Sequence, residues 1–436
     1  MASQITNYQC PACTGPLRFL PDTGKTECEY CGSVYELAEI EAMYQQEEAA
    51  APQQGGDSWD LSDLSEDWGE TTEGMKTYSC PACTAELICD GTTAATSCPY
   101  CGNPTVIPGQ FTGSWKPDLI LPFKQEKDDA VAALKQHYRK RFFLPKTFTS
   151  QNHIQQVQGV YVPFWLFDGE AEGSAGFEAT RSRTYTRGGY RITETSHFHV
   201  TRAGSVTFER VPVDASSKMP DGHMDSIEPF DYSELKPFST AYLPGFLADK
   251  YDVDAEACQQ RADTRCEETL VNELQKTVVG YETVMNTDKQ IDLHRGKVHY
   301  ALLPVWLLNT KWQGQDFLFA MNGQTGKMVG DLPVDKKKYW TTLLLIGAIL
   351  SVLSSLVLGW TNSGRPMSHF LIAVGVSFLA ALLTCCILSA GMKNVYVGTE
   401  ATAYLSGKLT LTRKQDQYTH TTTTRTKIES KEKSKV

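Results

Sequence analysis

Hydrophobic and polar positions along the chain fall into three regimes. The first is a pair of uncharged apolar runs, TTLLLIGAILSVLSSLVLGW at 341–360 and FLIAVGVSFLAALLTCCILSAGM at 370–392. Twenty helical residues at ~1.5 Å each cover the ~30 Å of a bilayer's hydrocarbon. Joined by the short polar TNSGRPMSH of 361–369, the two runs predict a transmembrane hairpin over 339–392. Tyr339 and Trp340 border one end of the first run and Trp360 the other, where aromatic rings favour the membrane–water boundary.

The second regime, 105–335, mixes two periods. KDDAVAALKQHYRKRF spaces Ala130, Val131, Leu134 and His137 or Tyr138 as one helix face, acids first and bases last. DAEACQQRADTRCEETLVNELQKTV predicts a second helix, with Cys258 and Cys266 on one face as core residues. Between and after them the pattern alternates. GVYVPFWLFDGEAEGSAGFEATR reads as a hairpin, and GYRITETSHFHVTRAGSVTFERVPV as further strands. Val162-Pro163-Phe164-Trp165-Leu166 is echoed by Leu303-Pro304-Val305-Trp306-Leu307, which suggests two related α+β halves. Pro163 and Pro304 cannot donate to a ladder, so an edge or bulge is expected for each. The tail, 393–436, is basic and Thr-rich, and its alternation favours strands before a charged end.

The third regime is polar. Residues 35–75 hold twelve Asp or Glu and no Lys or Arg. Leu37, Ile40 and Tyr44 suggest a short helix, APQQGGD ends it, and the rest is too acidic and too poor in apolar residues to fold alone. It reads as a flexible acidic linker. Trp59, Leu61, Leu64 and Trp68 lie among acids within it, a pattern that would also suit a segment docking on a partner.

Cysteine spacing adds chemistry. Cys10-x2-Cys13-x14-Cys28-x2-Cys31 recurs as Cys80-x2-Cys83-x14-Cys98-x2-Cys101. Each Cys-x-x-Cys turn can aim two thiolates at one ion, and two turns complete a tetrahedron. The glycines at 32 and 102 allow a tight turn beside the sulfurs. Each module is too small for a useful core, so a structural metal must supply most of its folding energy. Two closed structural zinc sites are expected, in ribbons at 8–33 and 78–104. No secretory signal precedes the cysteines, which argues against a disulfide framework.

Charge bears on partners and orientation. The chain carries a net charge of −10, and the second ribbon has no Lys or Arg. A ribbon that neutralises phosphates needs a basic face, so nucleic acid is not expected as a partner of either ribbon. Lys336, Lys337 and Lys338 precede the hairpin and Lys393 follows it, against Arg365 alone in its loop. The positive-inside rule then places both termini in the cytoplasm of a two-span cell-membrane protein. His197 and His199 share one strand face and could seed a metal site, but the sequence places no further ligand with them. Walker, Gly-x-Ser-x-Gly and His-Glu-x-x-His motifs are absent, so no catalytic residue is assigned and no enzyme is expected.

The arrangement resembles the bacterial zinc-ribbon membrane proteins of the YdjG type. The likeness rests on the Cys-Pro-x-Cys turns at 10–13 and 80–83, on GVYVPFWLFD at 159–168, on YALLPVWLLNTKWQGQDFLFAMNGQTGKMVGDLP at 300–333 and on the hairpin that follows. Genes of that family neighbour those of a flotillin-like (SPFH domain) protein, a TPM-domain membrane protein and a phage-shock-type protein. The resemblance implies a non-enzymatic adaptor that anchors the flotillin-like partner at the membrane during envelope stress. Two other readings remain open: a membrane-tethered nucleic-acid factor, and an enzyme with a site in 105–335.

Overall fold

The structure is a computed structural model that describes residues 17–20, 25–28, 33–36, 59–62, 64, 76–89, 98–103, 107–109, 115–151, 156–361 and 367–428. It divides into two units, Met1–Gly55 and Gly56–Val436. In the first, β1 (Leu17–Leu20), β2 (Lys25–Cys28) and β3 (Val34–Glu36) form an antiparallel meander with Leu17 opposite Cys28 and Thr26 opposite Tyr35. The helix expected near 37–51 lies outside the described residues.

The second unit is α+β. Its elements in order are β4 (Lys76–Ser79), β5 (Glu86–Cys89), β6 (Ile107–Gly109), β7 (Leu119–Ile120), α1 (Lys127–Tyr138), α2 (Lys146–Gln151), β8 (Gln158–Arg187), β9 (Tyr190–Asp214) and α3 (Asp221–Ile227). There follow β10 (Lys236–Pro237), β11 (Leu247–Asp249), α4 (Ala255–Lys276), β12 (Thr283–Trp312), β13 (Gln315–Asn322), β14 (Met328–Val329), α5 (Lys336–Thr361), α6 (Met367–Ala390) and β15 (Thr410–Lys427). One sheet joins the strands in the order β10-β7-β12-β8-β11-β5-β4-β6, with β9 also on β8, β15 on β9 and β13 on β12.

Two strands dominate. β8 and β12 are 30 residues each, roughly 100 Å at about 3.3 Å per residue. Near their shared base, Val160, Val162, Phe164 and Leu166 face one core, and Tyr161, Trp165 and Phe167 the other. Burial on both faces is what a continuous apolar run requires. Farther out β8, β9, β12 and β15 form a long blade. α4 covers part of one face of it, setting Cys258, Ala262, Cys266 and Leu270 against Ala171, Ala175, Phe177 and Ala179. The two cysteines are core residues, as their spacing implied. Beyond Thr180 the blade is largely exposed.

The stretch read as a hairpin at 159–181 is one unbroken strand. Its glycines mark close approach to β12, not a turn: a Cβ at Gly173 would strike the Gln290 carbonyl, and one at Gly176 the Asp288 side chain. The hairpin turn comes later, at Gly188 and Gly189, both at positive φ.

The two prolines also differ from expectation, since neither lies on an outer edge. β8 pairs with β11 at Val160 and Tyr161 and with β9 from Phe164 onward, and Pro163 stands between. β12 pairs with β7 at Ala301 and Leu302 and with β13 from Val305 onward, and Pro304 stands between. Each missing N–H falls where its strand changes partner. Each carbonyl is still used, by Ala215 N at 2.9 Å and Gly323 N at 2.8 Å.

Within the acidic stretch, 59–62 and 64 are seated on their own chain. Asp60 bridges Lys297 of β12, with Asp60 N on the Gly296 carbonyl and Val298 N on the Asp60 carbonyl, both at 3.0 Å. Trp59 and Leu64 are buried in the main core. Trp68 lies outside the described residues.

α5 and α6 are long and apolar enough to cross a membrane. Leu345, Ile349, Leu371 and Ile387 stand 58–73 % exposed along them, an apolar surface that water-soluble proteins rarely leave uncovered. The chain leaving α6 returns over the domain. Asp331 accepts Asn394 N, Ser226 accepts Tyr396 N, Asp225 accepts Gly398 N and Thr269 accepts Ala401 N, before β15 begins.

Candidate metal centre

Cys80, Cys83, Cys98 and Cys101 converge, their sulfurs all within 4.8 Å of one another. Two knuckles with the same backbone turn bring them together. In the first, Cys80 N donates to Ala85 O at 2.9 Å and Thr84 N to Cys80 O at 2.8 Å. In the second, Cys98 N donates to Asn103 O at 2.8 Å and Gly102 N to Cys98 O at 2.9 Å. The residue after each second cysteine is left-handed, Thr84 at φ 60° and Gly102 at φ 69°. Gly102 is thus where the sequence wanted a glycine. Thr84 holds the same conformation at a cost, and its hydroxyl donates to the Cys83 carbonyl at 2.7 Å.

Cys80 and Cys101 Sγ are 3.6 Å apart, as are Cys83 and Cys98 Sγ. A tetrahedron with arms of ~2.3 Å has edges of roughly 3.8 Å, close to the two 3.6 Å separations, so the four sulfurs are spaced to hold one divalent ion. Burial raises the Cys80 thiol, but N–H groups of Cys83 and Ala82 and the adjacent thiols outweigh it and bring it down to about 7. Burial pushes Cys83 up to about 11 and Cys98 higher still. Four sulfurs this close cannot all ionise alone, and a bound cation would supply the compensating charge.

The centre is built into the large sheet. β5 pairs with β11, Ile88 opposite Ala248 and Leu87 opposite Asp249. Leu87, Cys80, Cys98 and Tyr100 share a core with Val160, Val162, Leu303 and Val305. Asn309 of β12 donates to the Tyr100 carbonyl inside the second knuckle. The ribbon expected as a separate module is therefore a side wall of the domain. Neither the Cys spacing nor Asn309 by itself indicates that union.

Of the first cysteine set, Cys10, Cys13 and Cys31 lie outside the described residues, and Cys28 ends β2. His197 and His199 do acquire neighbours that the sequence could not place. Glu178 lies 3.2 Å from His199, and His420 stacks on His197 at 4.4 Å between ring centroids. These groups do not converge; among the described residues only the four cysteines group as candidate metal ligands.

A buried ionic network is the feature that sequence reading missed. Arg265 forks onto Glu228 at 2.9 and 2.6 Å and donates to the Pro212 and Glu400 carbonyls. One turn earlier Arg261 reaches Asp214 at 2.9 Å, Asp221 at 3.1 Å and Asp225 at 3.2 Å. The i, i+4 arginines of α4 were the only available signal.

The fold and site define a class: an α+β domain carrying a four-cysteine cluster that could hold a metal ion and two apolar helices long enough to cross a membrane. No family model and no solved structure matches the chain. It is 34% identical over 358 residues to the uncharacterised protein YdjG of Bacillus subtilis (strain 168), a match covering 81% of this chain and 99% of YdjG. The chain belongs to the YdjG family.

Proposed function

We propose that the chain is a non-enzymatic membrane adaptor stiffened by structural zinc. Cys80, Cys83, Cys98 and Cys101 hold one ion, and Cys10, Cys13, Cys28 and Cys31 hold a second in the same way. Zinc suits a closed four-thiolate site and a reducing compartment. The two apolar helices span the cell membrane with both termini in the cytoplasm, in line with Lys336–Lys338 and Lys393 at their ends. The partner is a flotillin-like (SPFH) protein, with a TPM-domain membrane protein as a further candidate, in an envelope stress response. The paired geometry around Pro163 and Pro304 supports reading 105–335 as two related halves.

One observation carries the adaptor reading: an exposed apolar hairpin is fastened, through hydrogen bonds from 394–401 to Asp331, Asp225 and Thr269, to a domain whose two longest strands run 30 residues each and end in a largely exposed blade. Such a part suits presentation of a surface away from the bilayer. The test is affinity capture from detergent-solubilised membranes. Capture of the flotillin-like protein by the full chain, and its release to the cytosol on deleting 339–392, is the expected result. A reporter active outside the cell should work in the 361–369 loop and fail at residue 436. Capture of no partner defeats the proposal.

A second reading has a specific observation behind it. The far end of the blade gathers Arg181, Arg183, Arg187, Arg191, Arg425 and Lys427, with Glu194 as its main acid. Nucleic acid would be met there, not at the ribbons, and binding would then weaken steeply with salt. Salt-sensitive DNA or RNA binding lost on changing these arginines would favour it.

A further inference from the structure

A cleft of about 1130 Å³ opens where the domain meets the two apolar helices, lined by Trp312, Lys336, Lys337, Trp340, Ser389 and Lys393 among others. One wall is the β12–β13 turn, which brings Trp312 down beside the helix ends. Trp312 is braced edge-on by Phe148 at 5.8 Å. The opposite wall is the first turn of α5 and the exit from α6.

The charges here are unbalanced. Lys336, Lys337 and Lys393 make no ion pair among the described residues. The two acids of the cleft are engaged by backbone: Asp335 accepts Lys338 N at 3.0 Å, and Asp331 accepts Asn394 N at 3.0 Å and Val395 N at 3.2 Å. Outside the cleft's lining, Arg141 is held by the Gly391 carbonyl, and Lys338 lies 4.3 Å over the Phe142 ring. Three cations without an ion pair therefore line the cleft beside two acids already engaged by backbone, and the N-terminal dipole of α5 adds to the positive field. Below the cleft the helices turn apolar at once, with Leu344, Leu345 and Ile387 exposed. Trp340, 60 % exposed, stands at the transition.

We propose that this cleft is a binding site for the headgroup of an anionic phospholipid. The phosphate sits among Lys336, Lys337 and Lys393, Trp312 and Trp340 flank the glycerol region, and the acyl chains lie along Leu344, Leu345 and Ile387. Phosphate alone would leave that apolar approach unused, so the ligand is a lipid and not a free anion. Basic pockets beside membrane helices select anionic lipids by the same physics. The inference rests on the membrane reading given above.

Native mass spectrometry of the full chain, carried from nanodiscs mixing phosphatidylglycerol and phosphatidylcholine, tests it. The wild type should retain phosphatidylglycerol in preference. Lys336→Gln, Lys337→Gln and Lys393→Gln should each reduce that retention roughly fivefold, the factor for one basic residue near a charged headgroup. Their Lys→Arg counterparts should keep it, which separates loss of charge from loss of folding. Equal retention of both lipids, an unchanged preference in the triple Lys→Gln variant, or full displacement by excess inorganic phosphate overturns the lipid site. Chain that washes off native membranes at alkaline pH defeats the membrane reading instead, whereas integral chain without lipid preference defeats only this inference.

Discussion

Trp59 meets Phe167 edge-on, ring centroids 4.9 Å apart and planes at 66°, while its indole N–H donates to Asp263 at 3.2 Å. The segment that carries Trp59 is acidic and poor in apolar residues, yet this ring closes the core between β8 and α4. Trp59→Ala should remove about 3–5 kcal/mol of stability. Urea denaturation of the detergent-solubilised chain is the measurement. A change under about 1 kcal/mol, within the range of ordinary surface substitutions, would mean that the segment only rests on the sheet.

The metal centre leads to a second expectation. Because β5 pairs with β11 and Asn309 grips the Tyr100 carbonyl, losing the ion should loosen the sheet edge and not merely free a small knob. Cys98→Ser is expected to lower zinc content by one ion per chain and to expose 86–89 and 247–249 together in hydrogen exchange. Exchange confined to 76–103 would show an independent module. Chelation should act in the same direction and depend on pH, since metal binding displaces thiol protons.

Asp249 gives a pH dependence. It is fully buried, and burial pushes its carboxyl up to about 7, against the hydrogen bond from Ser216 at 2.6 Å. Unfolded, it titrates near 3.8. Between those values the folded state holds a proton that the unfolded state has released. Stability is therefore full below the unfolded value and falls as pH rises, by about 1.4 kcal/mol per unit, until it levels above the folded value. Asp249→Asn should flatten this slope between roughly pH 4 and 7, read from denaturation midpoints. A slope that persists in the variant would assign it to other groups, with Asp214, whose carboxyl burial also pushes up to about 7, the first to examine.

Legibility from sequence followed the range of the interaction. The helices at 127 and 255 and the apolar runs at 341 and 370 carry strong local periodicity, and all four form helices. Cys-x-x-Cys turns are equally local, so the second cluster was readable residue by residue. What failed depended on distant partners. Gly169, Gly173 and Gly176 signal a turn in isolation, but beside β12 they permit close strand contact. Pro163 and Pro304 signal an edge, but each strand changes partner at that residue. Nothing local to 59–64 announces β12 as its support, and nothing local to Asn309 announces the ribbon.

The last expectation concerns the Arg265–Glu228 pair. Both side chains are buried, and Arg265 also donates to the Glu400 carbonyl at 3.0 Å, on the strap that connects α6 to β15. Removing only Arg265 leaves Glu228 without its counter-charge, while Asp225 keeps Arg261 at 3.2 Å; the loss is about 3–5 kcal/mol for a buried pair broken on one side. Arg265→Met should thus be severe. Arg265→Met combined with Glu228→Gln should recover part of the loss, because the stranded charge is gone. The strap provides the independent readout: in Arg265→Met, 395–404 should become susceptible to protease while the cysteine cluster keeps its metal. If the double variant is no better than the single one, the pair acts through packing and not through charge. If 395–404 stays protected, the strap is held by Asp331, Ser226, Asp225 and Thr269 without help from Arg265.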